Sequence, residues 1–415
     1  MNYESPLEQY SIPINVFVRY LFLFALALNL FNKFYYLFIL SLLIVSDLQF
    51  SLKRHISIRF FVLLLFSTSY WIALISYRAF DIRDLIAVFS CPIAFLIGAS
   101  CICKNNQWVR YIYAIVLGLA CHGFLNFIYN YGSLADSQRA PIDCWLQTEW
   151  VITGQISLFI LLSGFSYYVF FIMRIRKSPI LKSLFILLWI VGIQYNVLCA
   201  TRTVVYSVAL NILFSVALSI FVLKEHIPKN VLIILSVSLF AVLVYYFNFF
   251  GIRNYIESTA LFERISLISQ KGSSHDIYSR QGQIEQAFKQ LLDYPFGGYR
   301  MVFPVKIEFI HNAYLNIAYG EGLIPAVLFL TYTILFLKNG LDYLKQNTNS
   351  QFVFVTSGLY LATLTYFLIE PVFEANTSFV TLFCFIDGLV CNQLAPKRGE
   401  AMVKKKNKQE LGFSL

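Results

Sequence analysis

The chain is 415 residues long, 58% hydrophobic and only 13% charged, with 41 Phe, 27 Tyr and a formal net charge of +10. A soluble domain carries about 25% charged residues and cannot hide this many aromatics, so a soluble fold is excluded. The positive charge is not a nucleic-acid signal either, because most of the Lys and Arg stand in short segments beside apolar runs, where they set membrane topology.

Apolar runs of membrane-spanning length recur from end to end and predict an all-α, polytopic integral membrane protein with about 12 transmembrane helices. The expected spans are 14–31, 34–48, 59–76, 85–103, 109–130, 151–173, 181–199, 203–223, 230–250, 313–337, 352–369 and 375–394. The first has no small-residue cleavage site and is expected to remain as a span. It contains Arg19, which either snorkels or pairs inside the bundle. The organisation is a membrane bundle of about nine spans (1–250), a long loop with an amphipathic helix (251–312), the last spans (313–396) and a basic tail (397–415).

With both termini cytoplasmic, nineteen Lys and Arg face inward and twelve outward, and seven of the twelve lie in the long loop, whose charges count little for topology. The loop is therefore expected to be extracytoplasmic. The eight Cys show no paired spacing of a zinc site; most lie within spans, where a free thiol acts as a small hydrophobe. No metal site and no cofactor is expected, and no Gly-rich phosphate loop or nucleophile elbow occurs.

The chemistry-bearing residues gather at the outer junctions. Arg202, in Cys-Ala-Thr-Arg-Thr, follows the seventh span; it is either an interface anchor or a guanidinium clamp for phosphate oxygens. Arg280 opens a helix ended by Pro295-Phe296-Gly297-Gly298. On its wheel Arg280 falls with Ile277, Ile284, Phe288 and Leu291, so it is expected to point with the apolar stripe, paired with Glu263 or Asp276 or holding an anion. His311 and Asn312 stand where the loop re-enters apolar sequence, before the interruption Gly320-Glu321-Gly322 and Pro325. A histidine here is either a satisfied boundary residue or a base, and the interruption favours a protected cavity. Glu370, before Pro371 and close to Glu374, is a loop carboxylate, a partner for an arginine or a second base.

Taken in order, Thr201-Arg202, Ser279-Arg280 through Gly297-Gly298, His311-Asn312 and Gly322-Leu323-Ile324 resemble the O-antigen polymerase/ligase superfamily of bacterial envelope glycosyltransferases, over about residues 198–390. The Pro-Phe-Gly-Gly form, Gly-Leu-Ile-Pro and the Glu370–Asn376 segment look more like the Wzy-type polymerases than the WaaL-type ligases. The resemblance implies a metal-independent glycosyltransferase of the bacterial inner membrane, with a periplasmic loop and a role in lipopolysaccharide or related polysaccharide biosynthesis. Its substrates would be undecaprenyl-pyrophosphate-linked oligosaccharide repeats, its surroundings membrane lipid, and its protein partner a polysaccharide chain-length regulator; nucleic acid has no part. It further implies His311 as catalytic base with Glu370 as the second choice, and Arg202, Arg280, Asn312, Tyr299 and Glu374 as substrate-binding residues. The alternatives are a WaaL-type ligase that transfers polymer to lipid A-core and, ranked below it, a non-catalytic flippase for lipid-linked oligosaccharides. The flippase requires charged residues along a central path, and apart from Arg19 the charges are expected at span ends and in the loop.

Overall fold

A computed structural model describes residues 14–28, 56–77, 82–101, 107–135, 227–259, 310–346 and 377–394 continuously, with interrupted pieces at 144, 183–213, 261–296 and 360–373. Every regular element among them is helical, and no strand occurs among the described residues. The continuous elements are α1 (Ile14–Ala27), α2 (Ile58–Tyr77), α3 (Ile82–Ser100), α4 (Gln107–Ala135), α5 (Ile227–Tyr246), a 3-10 turn (Phe249–Gly251), α6 (Ile252–Glu257), α7 (Ala313–Glu321), α8 (Leu323–Gln346) and α9 (Thr377–Leu394). The expected second and sixth spans and the basic tail lie outside the described residues.

Among the described residues, Ile58–Ser76 of α2 and Leu323–Tyr343 of α8 are long and apolar enough to cross a membrane. A third crossing is counted if Leu239–Tyr246 and Phe249–Glu257, bent by 91°, form one span. The faces these helices turn outward are themselves apolar. On α2, Phe61, Leu65, Ile72 and Ile75 are exposed, while Leu63, Phe66, Tyr70 and Leu74 are buried at helical spacing. Water does not accommodate such a coat over whole helices, whereas lipid tails do.

Side-chain pairs fix the direction of each helix. Phe329 of α8 meets Phe373 and Phe336 meets Phe383, so α8 and α9 run the same way. Arg59 at the start of α2 reaches Cys391 late in α9, and Tyr70 stacks on Phe373, so α2 runs against both. Phe336 stacks on Tyr360 at 3.8 Å and Phe329 meets Phe367 at 5.1 Å, so 360–368 also runs against α8. Tyr20 with Tyr111, and Gly118 against Phe24 and Ala27, make α1 and α4 parallel.

The tightest crossing is α3 on α9. Ser90 Oγ and Thr381 Oγ1 share a hydrogen bond of 2.6 Å. Further along, Gly98 and Gly388 leave no room for a Cβ, and small residues are what let two backbones approach this closely in an apolar medium. Pro92 lies within α3 and cannot donate to the Val88 carbonyl one turn back. The Ser67 hydroxyl of α2 donates to that carbonyl at 3.0 Å, which satisfies the group the proline frees and ties α2 to α3. Arg19 is 6% exposed and directs Nη1 at Cys101 Sγ, 3.8 Å away, so it is held inside the bundle rather than snorkelling out.

After α5 the chain turns through Asn248, Phe250 and Gly251, all at positive φ, into α6. The Asn248 Oδ1 accepts the Arg253 and Asn254 amides, and Arg253 Nε donates to Glu257 at 2.8 Å. That bond, helped by the Tyr245 hydroxyl, holds the Glu257 carboxyl below its ordinary range.

Candidate functional site

The segment before α8 does not continue its axis. Tyr314 and Phe329 are fifteen positions apart, about 22 Å along one straight helix, yet their ring centroids lie 5.7 Å apart. The chain reverses at Gly322, whose φ of 103° is open to glycine and costly for other residues. α7 therefore folds back along the first half of α8. Instead of one helix over 313–337, the structure has a short buried helix laid against a separate span-length helix. The interruption is legible in Gly320-Glu321-Gly322; the reversal is not, because hydropathy records depth in the membrane and not direction.

This reversal sets the depth of the His311–Asn312 turn, which stands at the inner end of α7, beside Leu368, instead of at the mouth of the tenth span. Asn312 caps α7: its Oδ1 accepts the Tyr314 and Leu315 amides, both at 3.1 Å, and its Nδ2 donates to the Leu368 carbonyl at 3.3 Å. The residue expected to bind substrate or orient His311 is thus engaged mainly in holding the turn. His311 itself is half-buried. Asn312→Ala removes the cap and the tie to Leu368, and is expected to cost about 1 kcal/mol of stability. The thermal unfolding midpoint of the purified protein checks this; an unchanged midpoint would show that the cap contributes nothing.

The loop helix is docked on the bundle core. Ala287 and Leu291 are buried in the core and Ile284 packs against it, whereas Phe288 is 60% exposed. The expected apolar stripe is corrected in one position: Ala287, not Phe288, lies between Ile284 and Leu291, because Phe288 falls about 80° round the wheel from Arg280. At the end of this helix the Pro295 carbonyl accepts the Leu323 amide at 2.9 Å. The Pro-Phe-Gly-Gly break of the loop is thus bonded to the Gly322 break of the bundle. Arg202, Arg280, Tyr299, Glu370 and Glu374 lie outside the described residues. Leu368 and Phe373, on either side of Glu370 in sequence, are both held: Leu368 by Asn312, and Phe373 among Phe66, Tyr70 and Phe329.

Three polar groups absent from the sequence-based site are buried in helices. Asn316 is 1% exposed on α7, and its Oδ1 accepts the Ile310 amide at 2.8 Å. Glu321 is 3% exposed at the end of α7. Asp387 of α9 is fully buried at the opposite end of the bundle, where it accepts Tyr332 Oη at 3.1 Å and Asn339 Nδ2 at 2.8 Å. Arg59 Nη1 donates to Cys391 Sγ at 2.8 Å, one turn beyond. The expectation that only Arg19 is charged within a span is therefore corrected by Asp387. A single acid or amide in an apolar run gives no periodic signal; what could have marked it is the cost of an unexplained charge in such a run.

Among the described residues, Phe66, Phe329, Phe367 and Phe383 stand between Asp387 and the α7 turn, joined by ring contacts such as 5.1 Å for Phe329–Phe367 and 5.0 Å for Phe367–Phe383. Among the described residues no three His, Cys, Asp or Glu side chains come together in a way that could hold a metal ion. No family model matches this chain, and no curated protein matches it.

Proposed function

We propose that this chain is a glycosyltransferase of the bacterial inner membrane that joins undecaprenyl-pyrophosphate-linked oligosaccharide repeats into O-antigen or a related surface polysaccharide. The supporting observation is the placement of the His311 turn. It is half-buried, bonded to Leu368 two residues before Glu370, and joined through α7 to the helix break that carries the end of the loop helix. One short buried helix thereby links the histidine turn to the end of the loop helix.

In this proposal twelve spans place the His311 end in the periplasmic leaflet and the Asp387 end toward the cytoplasm, in keeping with the excess of inward Lys and Arg. Pyrophosphate is already a good leaving group, so the donor needs charge stabilisation more than an acid. Arg202 and Arg280 supply it as an oxocarbenium-like transition state develops. Arg280 is four, seven and eleven residues before Ile284, Ala287 and Leu291, in phase with the face that packs on the core. His311 takes the proton of the acceptor hydroxyl, with Glu370 as the second base. Tyr299 and Glu374 contact the saccharide.

The test uses Arg280→Ala and His311→Ala in a strain that makes long surface polysaccharide. Each variant, expressed at the normal level, is expected to leave single repeats on the final acceptor. Full-length chains from both would refute the site. Polymer retained on the carrier lipid would identify a ligase, and repeats trapped on the cytoplasmic face a flippase.

A further inference from the structure

The amide of Asn316 has a use that folding alone does not explain. Its oxygen is engaged by the Ile310 amide at 2.8 Å, immediately before His311 in the chain. Its nitrogen, Nδ2, is buried and finds no hydrogen-bond partner among the described residues. Leaving an amide donor unpaired in an apolar bundle is unfavourable, and native proteins keep such groups where something else completes them. Side chains on a helix lean toward its N-terminus, so an amide in the fourth position of α7 leans toward the turn that bears His311 and Asn312. At that turn the Tyr314 and Leu315 amides are engaged, both donating to Asn312 Oδ1. Asn316 Nδ2 is a donor still to be completed there.

We infer that Asn316 is a substrate-binding residue that donates its free N–H to the oxygen of the acceptor saccharide hydroxyl, beside His311. This role rests on the polymerase proposal and adds the acceptor side to it. A neutral amide donor suits a neutral hydroxyl oxygen: it fixes the oxygen without holding the proton, which stays directed at the base. In the step it serves, that oxygen forms a bond to the anomeric carbon of the donor sugar while the bond from this carbon to the pyrophosphate oxygen breaks. The electron pair leaves with undecaprenyl pyrophosphate, and the hydroxyl proton passes to His311.

The two atoms of the amide allow the structural and the binding roles to be separated. Asn316→Asp keeps an acceptor for the Ile310 amide and removes the N–H; Asn316→Ala removes both. The experiment uses the full-length protein in proteoliposomes with the lipid-linked oligosaccharide isolated from cells lacking this protein. Chain extension and the thermal unfolding midpoint are measured together. Asn316→Asp is expected to lower the midpoint, because it buries a carboxyl in place of a neutral amide, and to lose about tenfold in kcat/KM per folded molecule, the size of one hydrogen bond made to substrate. Asn316→Ala is expected to lower both. Full extension by Asn316→Asp would overturn the binding role while wild-type extension leaves the polymerase proposal standing. A wild-type protein that never extends the lipid-linked oligosaccharide would overturn the proposal and this role together.

Discussion

Replacing Gly388 with alanine is expected to prevent the bundle from assembling, and the loss should appear as an absence of monodisperse protein after detergent extraction. A Cβ at this position would stand 2.2 Å from the Phe95 carbonyl oxygen and 2.7 Å from the Ala99 nitrogen. Both are main-chain atoms of α3, so no side-chain rotation relieves the clash and the two helices must move apart. Gly98 meets the same limit from the other side, with its added Cβ 2.0 Å from the Phe385 carbonyl oxygen. Overpacking of ordinary cores costs about 1–3 kcal/mol. Here the separation also breaks the Ser90–Thr381 bond and loosens the neighbouring Cys91 and Cys384, so the cost is expected at the top of that range or above. The double variant Gly98→Ala, Gly388→Ala should cost less than the sum of the two, because one separation relieves both clashes. Full recovery of monodisperse Gly388→Ala protein would mean that the α3–α9 crossing is not as close as described.

The second large effect is expected at the far end of the bundle. Asp387→Ala leaves the Asn339 amide and the Tyr332 hydroxyl without their acceptor, in a position with no access to water. It also leaves Arg59 without the carboxylate that its charge reaches. Removing one partner from a buried network of this kind costs about 3–5 kcal/mol, and replacing the pair with apolar residues restores much of it. Asp387→Ala is therefore expected to lower the unfolding midpoint strongly, Asp387→Asn by less, and Arg59→Met with Asp387→Leu to recover part of the loss. Wild-type behaviour of Asp387→Ala would remove this cluster from the forces that join α2, α8 and α9. The prediction is independent of the proposed chemistry, because aromatic rings stand between this cluster and the His311 turn.

Several apolar runs of this chain already specify where a helix lies. The expected 59–76, 230–250 and 375–394 correspond to α2, α5 and α9 within a few residues, because a helix in an apolar medium satisfies its backbone internally and needs only a run of sufficient length. The loop helix was legible from its periodicity, and the error at Phe288 is the width of one wheel position.

What only the packed chain decided is which residues face one another. Nothing in a one-dimensional pattern says that α7 doubles back at Gly322, that Asn312 spends its amide on a cap and on Leu368, or that Asn316 keeps a donor in reserve. Nor does it say that Asp387 meets Asn339 and Tyr332 across two helices. Hydropathy is a property of single residues against their solvent, and it settles depth and length. Partnership among buried polar groups depends on rotation about the helix axes and on close approach at glycines such as Gly98 and Gly388, and those are settled only when the helices pack.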